Sequence, residues 1–259
     1  MTQPYADAIV LVSGASTGLG RAIALGAARQ GARAVIVNYA TSAAEAGETA
    51  RQVREAGAEP VLAQGDVGQD ADCRRIAAAA TRFGRIDALF NNAGTTRLAP
   101  YGNLEGLSDD DFLAIYRTNV VGAFQLTRAA QPLLEAADVP MVVMTSSLAA
   151  ITGGGSSVAY TASKGALNAM TKALALALAP KVRVNAICPG FIDSPWFDKI
   201  GYRGGAAALR DKIGANSPLQ EYSTPEIVAE TALFLGSRAA RHTTGETLLV
   251  DAGAHLRNG

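Results

Sequence analysis

The chain has little of what marks a metal centre or a disulfide scaffold. Its 259 residues hold two cysteines, Cys73 and Cys188, and two histidines, His242 and His255. The cysteines form no C-x-x-C pair, and no histidine stands at ligand spacing from them. That pattern predicts free thiols in a reducing compartment and no metal site. Asp109–Asp110–Asp111 resembles an ion-binding cluster, but it directly follows Ser108. Acidic residues in the first turn of a helix complement its dipole, and that is the expected role. An excess of one charge is also missing. Lys plus Arg and Asp plus Glu each number 23, and no long basic run occurs. General binding of nucleic acid or other polyanions is therefore not expected. Long hydrophobic runs are absent too. In "MTQPYADAIVLVSGAS" the apolar stretch Ala8–Val12 is only strand-length, with no basic region before it. Neither a signal peptide nor a membrane span is expected, and the default location is cytoplasmic.

What the chain does have is alternation. Short apolar runs recur at 8–12, 34–38, 60–64, 87–91, 141–146, 182–187 and 247–251. Between them lie stretches of helical composition: 18–30, 41–56, 69–83, a long one at 108–136, 157–179 and 225–236. Glycines 31, 57 and 84 stop the first three, and Pro225 opens the last. Continuous apolar strands separated by helices predict an α/β fold. The expected form is a doubly wound Rossmann-type parallel sheet of about seven strands, covered on both faces. No linker or composition break divides the chain, so one domain is expected over 1–259. Residues 195–224, rich in glycine and aromatics, are too long for an ordinary connection and read as a substrate-loop insertion.

The first strand runs into "SGASTGLGRAIA", which places Gly14, Gly18 and Gly20 at a strand-to-helix junction. Absent side chains let the backbone approach a pyrophosphate, and the amides of the helix start face its charge. Further along, "YTASK" sets Tyr160 and Lys164 four apart on one helix face. By itself that is an ordinary polar pair. With the glycine turn, Ser146–Ser147 closing the fifth strand and Asn119 in the long helix, it suggests a proton-transfer site.

Together these motifs resemble the short-chain dehydrogenase/reductase family over most of the chain. The turn is Gly-x-x-x-Gly-x-Gly after Ser13, followed in order by "NNAG" (91–94), "NVVG" (119–122), the serine pair, "YTASK", "CPG" (188–190) and "GETLLVDAG". The resemblance implies hydride exchange between a nicotinamide cofactor and a carbonyl or secondary alcohol. Tyr160 would act as acid or base, with its pKa lowered by Lys164. Family spacing selects Ser147, thirteen residues before the tyrosine, to polarise the carbonyl, and Asn119 would join a water-mediated proton relay. Cofactor contacts are expected from Gly14, Ser16, Thr17, Gly18, Leu19 and Gly20. At the end of the second strand Asn38 and Tyr39 stand where an acidic residue is expected, with Thr41 and Ser42 beyond. A neutral pocket with hydroxyls favours NADP(H) over NAD(H), although Thr17 replaces the arginine that many NADP-dependent relatives carry. Asp66 and Val67 would meet the adenine, and Asn92, Ala93 and Gly94 its ribose. Pro189, Gly190, Ile192 and Ser194 would frame the carboxamide, with Lys164 on the nicotinamide ribose.

The pattern is similar to 3-oxoacyl-(acyl carrier protein) reductases and to sugar-alcohol or steroid dehydrogenases. Expected walls for a small-molecule substrate are 95–100, 151–155, Trp196, Phe197, Tyr202 and Arg203. Ala- and Leu-rich outer helix faces, such as "ALNAMTKALALALA", predict a homotetramer, or a dimer. A cofactor-binding sensor or scaffold without turnover is the main alternative. A lyase-type relative would lack the glycine turn and carry arginine in place of Lys164.

Overall fold

Seven apolar runs form strands, the central ones covered on both faces. They are β1 (Ile9–Val12), β2 (Ala34–Tyr39), β3 (Glu59–Gln64), β4 (Ala88–Asn91), β5 (Met141–Thr145), β6 (Arg183–Pro189) and β7 (Thr247–Val250). The computed structural model describes residues 3–257; residues 1, 2, 258 and 259 of the domain expected over 1–259 lie outside the described residues. All strand pairs are parallel, in the order β3-β2-β1-β4-β5-β6-β7. β1, β4 and β6 are buried along their whole length, whereas the edge strand β3 carries exposed Glu59 and Gln64. The fold is the α/β doubly wound sheet that the alternation predicts.

The helices are α1 (Gly18–Arg29), α2 (Ala43–Glu55), α3 (Asp70–Ala78), α4 (Asp109–Tyr116), α5 (Ala123–Glu135), α6 (Ala149–Thr152), α7 (Val158–Leu178), α8 (Trp196–Lys199), α9 (Ala207–Asn216) and α10 (Pro225–Leu235). Strand side chains alternate between two cores. Val10, Val12, Val35 and Val37 meet α1 and α10, while Ile9, Leu11 and Ile36 belong to the core with α3, α5 and α7. The order of strands reverses between β1 and β4, so the crevice beyond their carboxyl ends is where this fold places ligands.

Three stretches depart from the expected elements. The helix foreseen over 108–136 is two helices joined by a π-helical turn, Arg117–Gly122. There Asn119 turns inward to the loop after β4, and Gly122 approaches Val67 so closely that a Cβ would lie 2.9 Å from Val67 Cγ2. The chain accommodates both with a wider turn, a device frequent at functional sites. The helix foreseen over 69–83 ends at Ala78 and tightens into a 3₁₀ turn, Thr81–Phe83, closed by Gly84. The insertion is not irregular throughout, since it holds α8 and α9. Only Gly214 of α9 is buried, so this helix adds little to the core. Ser108 and Asp111 form a capping box on α4, the first-turn role expected for that acidic run.

Candidate active site

The glycine turn is braced from beneath. Ser13 Oγ accepts from the amides of Asn92 (2.9 Å) and Ala93 (3.0 Å), and Asn92 Nδ2 donates to the carbonyls of Ser13 and Gly14, both at 3.2 Å. Gly14 adopts left-handed φ +61°, and a Cβ there would sit 2.9 Å from Ala93 Cα. Asn38 locks the turn to the next strands. Its Oδ1 accepts from Gly14 N at 3.2 Å, and its Nδ2 donates to Ala63 O and Gly65 O, each at 3.0 Å. Arg21 donates to Ser16 O (2.6 Å), Glu45 O (3.1 Å) and Thr49 Oγ1 (2.9 Å), so it ties α1 to α2. Thr17, at the N-cap of α1, makes no side-chain cap bond, and no acidic residue stands in that first turn. The leading amides of α1 thus keep their positive field for a ligand.

A cleft of about 1060 Å³ opens over this turn. Gly14, Ser16, Thr17, Gly18, Leu19, Asn38, Thr41 and Ser42 line it. So do Asp66, Val67, Asn92, Ala93, Gly94, Ser147, Tyr160, Lys164, Pro189, Gly190, Ile192 and Ser194. The structure therefore gathers most of the residues singled out in the sequence. Three stand apart from the lining. Gly20 lies beneath the turn, against Gly14 O and Asn92. Tyr39 leans on the core under α1. Its position two residues after Val37, on the same strand face, was the available signal. Asn119 lies behind the wall, 1% exposed. Asp66 both lines the cleft and holds its own turn, accepting from Gly68 N at 2.9 Å.

Lys164 is 4% exposed, and its Nζ donates to Thr145 O at 2.7 Å. The ammonium stands 5.6 Å from the Tyr160 ring centroid. The acidities differ from the sequence expectation. Burial pushes the Tyr160 phenol above its usual 10.0, and Ser147, through a side-chain hydrogen bond, pulls it part of the way back. Burial also pulls Lys164 down to about 8 from 10.5. Desolvation disfavours the charged form of each group and is the largest cause of both shifts. The two adjacent serines separate by contact. Ser146 is buried and donates to Lys164 O at 3.2 Å, whereas Ser147 Oγ accepts from Ala149 N at 3.1 Å beside the phenol. The Asn119 amide is fully engaged. Oδ1 accepts from Thr95 N (2.7 Å), and Nδ2 donates to Thr95 O (2.9 Å) and Ser163 Oγ (3.0 Å).

Over the cleft lie Trp196, Phe197, Tyr202 and Arg203, as foreseen. Phe197 bridges two rings, 5.1 Å from Phe191 and 5.9 Å from Tyr202 by centroid. Of the other expected walls, Leu98, Ala99, Pro100, Gly154 and Gly155 reach the lining, while Arg97 pairs with Asp111 at 2.8 Å. Tyr101, Lys199, Leu209 and Ile213 also line the cleft and went unforeseen. Leu209 and Ile213 stand four apart on α9, a spacing that could have flagged them. His255 pairs with Asp251 at 2.9 Å, and among the described residues no cluster of His, Cys, Asp or Glu could hold a metal ion. No described helix is long and apolar enough to cross a membrane.

Comparison with known proteins adds the following. Residues 14–255 match the family model described as enoyl-(acyl carrier protein) reductase. A Streptomyces violaceoruber protein named as ketoacyl reductase 2 of the granaticin polyketide synthase is 38% identical, over 96% of each chain. An oxidoreductase of Methylorubrum extorquens is 34% identical, over 95% of this chain and 96% of its own. A Burkholderia xenovorans structure described as a short-chain dehydrogenase/reductase superposes with TM-score 0.88 at 38% identity, covering 96% of this chain and 98% of the other. A Brucella melitensis structure described as a short-chain dehydrogenase/reductase, glucose/ribitol dehydrogenase, gives TM-score 0.86 at 30% identity, over 98% and 99%.

Proposed function

The chain belongs to the short-chain dehydrogenase/reductase family, and from that premise we propose that it is an NAD(P)-dependent oxidoreductase that interconverts a ketone or 3-oxoacyl group and its secondary alcohol. The observation that carries the reading is the convergence of Ser147, Tyr160 and Lys164 on one cleft with the braced glycine turn.

The donor set fits a nicotinamide dinucleotide. Gly14, Ser16, Gly18 and Leu19 would hold the pyrophosphate on the uncapped start of α1. Asp66 and Val67 would take the adenine, Asn92 to Gly94 its ribose, and Pro189, Gly190, Ile192 and Ser194 the carboxamide. Thr41 and Ser42 would receive a 2′-phosphate, and Asp66 is the only carboxylate among the cleft-lining residues. The lack of a cleft-lining carboxylate at the end of β2 supports NADP(H) over NAD(H). When bound, the nicotinamide supplies or accepts the hydride.

The remaining chemistry belongs to the chain. Ser147 hydrogen-bonds the substrate oxygen and stabilises the charge that develops there. Tyr160 delivers its phenolic proton to that oxygen in reduction and withdraws one in oxidation. Its raised pKa keeps the phenol protonated at neutral pH, which suits the reductive direction. Lys164 is an ammonium below about pH 8, placed to steady the phenolate left after proton transfer. Both Nδ2 hydrogens of Asn119 are used and Oδ1 holds Thr95 N, so its side chain positions the 95 loop against α7. A water-mediated relay through Asn119 would draw on its main-chain carbonyl or on the second lone pair of Oδ1. The complete catalytic set argues against a mere sensor or scaffold. Exposed Leu113 and Val121, on elements packed against α7, with Leu176 on it, support assembly of copies through these helices into a tetramer.

The test is a panel of ketones, 3-oxoacyl thioesters and secondary alcohols assayed with NADPH and NADH in parallel. Turnover of a ketone or 3-oxoacyl thioester, faster with NADPH, is the expected result. No turnover despite cofactor binding would favour the scaffold, and faster turnover with NADH would reverse the cofactor preference.

A further inference from the structure

We propose that Lys199 is a phosphate contact carried on the lid, reaching from α8 to the glycine turn to bind a phosphate of the dinucleotide. The inference rests on the cofactor reading above and names a residue that the sequence motifs do not contain. Lys199 Nζ donates to Thr17 Oγ1 at 3.0 Å across 182 positions of sequence. Among the described residues, no other side-chain hydrogen bond joins 195–216 to the first 42 residues. Both partners line the cleft.

Three cationic side chains line that cleft: Lys164, Lys199 and Arg203. Lys164 is held on the floor by Thr145. Arg21, the cation on α1 next to the turn, is engaged by Ser16, Glu45 and Thr49. Lys199 is exposed, and its partner is a neutral hydroxyl. A phosphate oxygen is a far stronger acceptor for an ammonium than a hydroxyl is. The first turn of α1, which follows Thr17 directly, has neither a side-chain cap nor an acidic residue to compete for that cation. A phosphate laid on this turn therefore meets amides from below and the ammonium from above. The same contact would draw α8 down over the cleft, so the dinucleotide would order the lid that carries Trp196, Phe197 and Tyr202.

Pyrophosphate and 2′-phosphate share the chemistry, and NADH and NADPH distinguish them. Dissociation constants are measured by nicotinamide fluorescence for the wild type, Lys199→Met and Lys199→Arg, at low and high salt. Lys199→Met should weaken binding roughly tenfold, as loss of a charge-assisted hydrogen bond does. The deficit should shrink at high salt, and Lys199→Arg should retain most of the affinity. Loss for both cofactors assigns the pyrophosphate, and loss for NADPH alone assigns the 2′-phosphate. Unchanged constants for both overturn the proposal. Tryptic cleavage at Arg203 gives a second reading. NADPH should protect this bond in the wild type and less in Lys199→Met, and equal protection would overturn the lid contact. The cofactor-free melting temperatures should agree, since Lys199 is exposed. A wild type that binds neither dinucleotide overturns both this inference and the cofactor reading. Intact binding that is indifferent to Lys199 overturns this one alone.

Discussion

On the floor of the cleft and behind its wall, Asn38 and Asn119 have every side-chain polar atom bonded to fixed partners, and Lys164 is almost wholly enclosed. On the lid, α8 buries no residue and α9 buries only Gly214. Glycines 201, 204 and 205 there all have left-handed backbones. Among the described residues, few polar side-chain ties join the lid (195–216) to the rest of the chain: Lys199 to Thr17, Arg210 to Asp193, and Arg257 to Asn216 O. Elements with few buried contacts open at low free energy, and binding segments are drawn from that end of the scale. The difference assigns tasks. On the proposed mechanism, the proton-transferring groups stand on the tightly bonded floor, and the groups proposed to meet the substrate stand where few buried contacts hold the chain.

If that division holds, substitutions on the floor should change chemistry or stability, and substitutions on the lid should change binding. The largest effect is expected for Tyr160→Phe. It should lower kcat by about 10²–10⁴-fold, the range for loss of a general acid, while the fluorescence-measured cofactor affinity stays intact. Because burial raises the Tyr160 pKa, wild-type alcohol oxidation should accelerate as pH rises above neutrality, and ketone reduction should not. Near-normal turnover in the phenylalanine variant would remove Tyr160 from the mechanism.

Stability should separate the two regions next. Asn38→Leu leaves Gly14 N, Ala63 O and Gly65 O without their side-chain partner, at a cost of about 3 kcal/mol by the usual penalty for buried unpaired groups. Tyr202→Ala on the lid should barely move the melting temperature but should alter KM across a substrate series. Equal melting shifts for the two variants would erase the distinction.

Lys164 gives a pH signature of the floor. Its folded pKa is about 8, against 10.5 for the free side chain. Between those values the unfolded chain binds more protons than the folded one, so stability rises with pH across that window. Below about pH 8 the enclosed charge is a net penalty despite its bond to Thr145 O, at most about 3 kcal/mol for a shift of this size. Lys164→Met should therefore melt no lower than the wild type at pH 7 and lack the wild-type gain toward pH 9.5. Parallel stability profiles for the two proteins would show that burial does not govern this lysine.

The same contrast explains what could be read along the chain. The strands, the Ser13–Gly14 turn and the pair Tyr160/Lys164 follow from local spacing, because residues two or four apart share a face whatever surrounds them. Strand alternation sets Tyr39 on the face of Val35 and Val37, where it packs partly buried against the core. The acidities of Tyr160 and Lys164 depend on how much water the whole fold excludes, which no five-residue motif contains. The split of the long helix arises from contacts of Asn119 and Gly122 with loops far along the chain. Lys199 meets Thr17 only because α8 folds back across the sheet, and neither residue carries a local sign of the other.

The smallest effect tests the hinge between the two regions. Arg210 Nη2 meets Asp193 Oδ2 at 2.7 Å, and Asp193 N donates to Ser223 O at 2.9 Å, so α9 is latched to the segment that leaves β6. The Arg210 guanidinium also lies 5.5 Å from the Tyr222 ring centroid. The arginine is 40% exposed, and an ion pair so placed is screened by solvent and adds little to stability. Asp193→Asn should consequently leave the melting temperature almost unchanged. It should raise the KM for substrate several-fold with kcat held, because the latch positions Leu209 and Ile213 over the cleft without touching the proton path. Steady-state kinetics decide between two accounts: a fall in kcat at constant KM would move Asp193 into the catalytic floor, whereas a rise in KM alone leaves it with the lid.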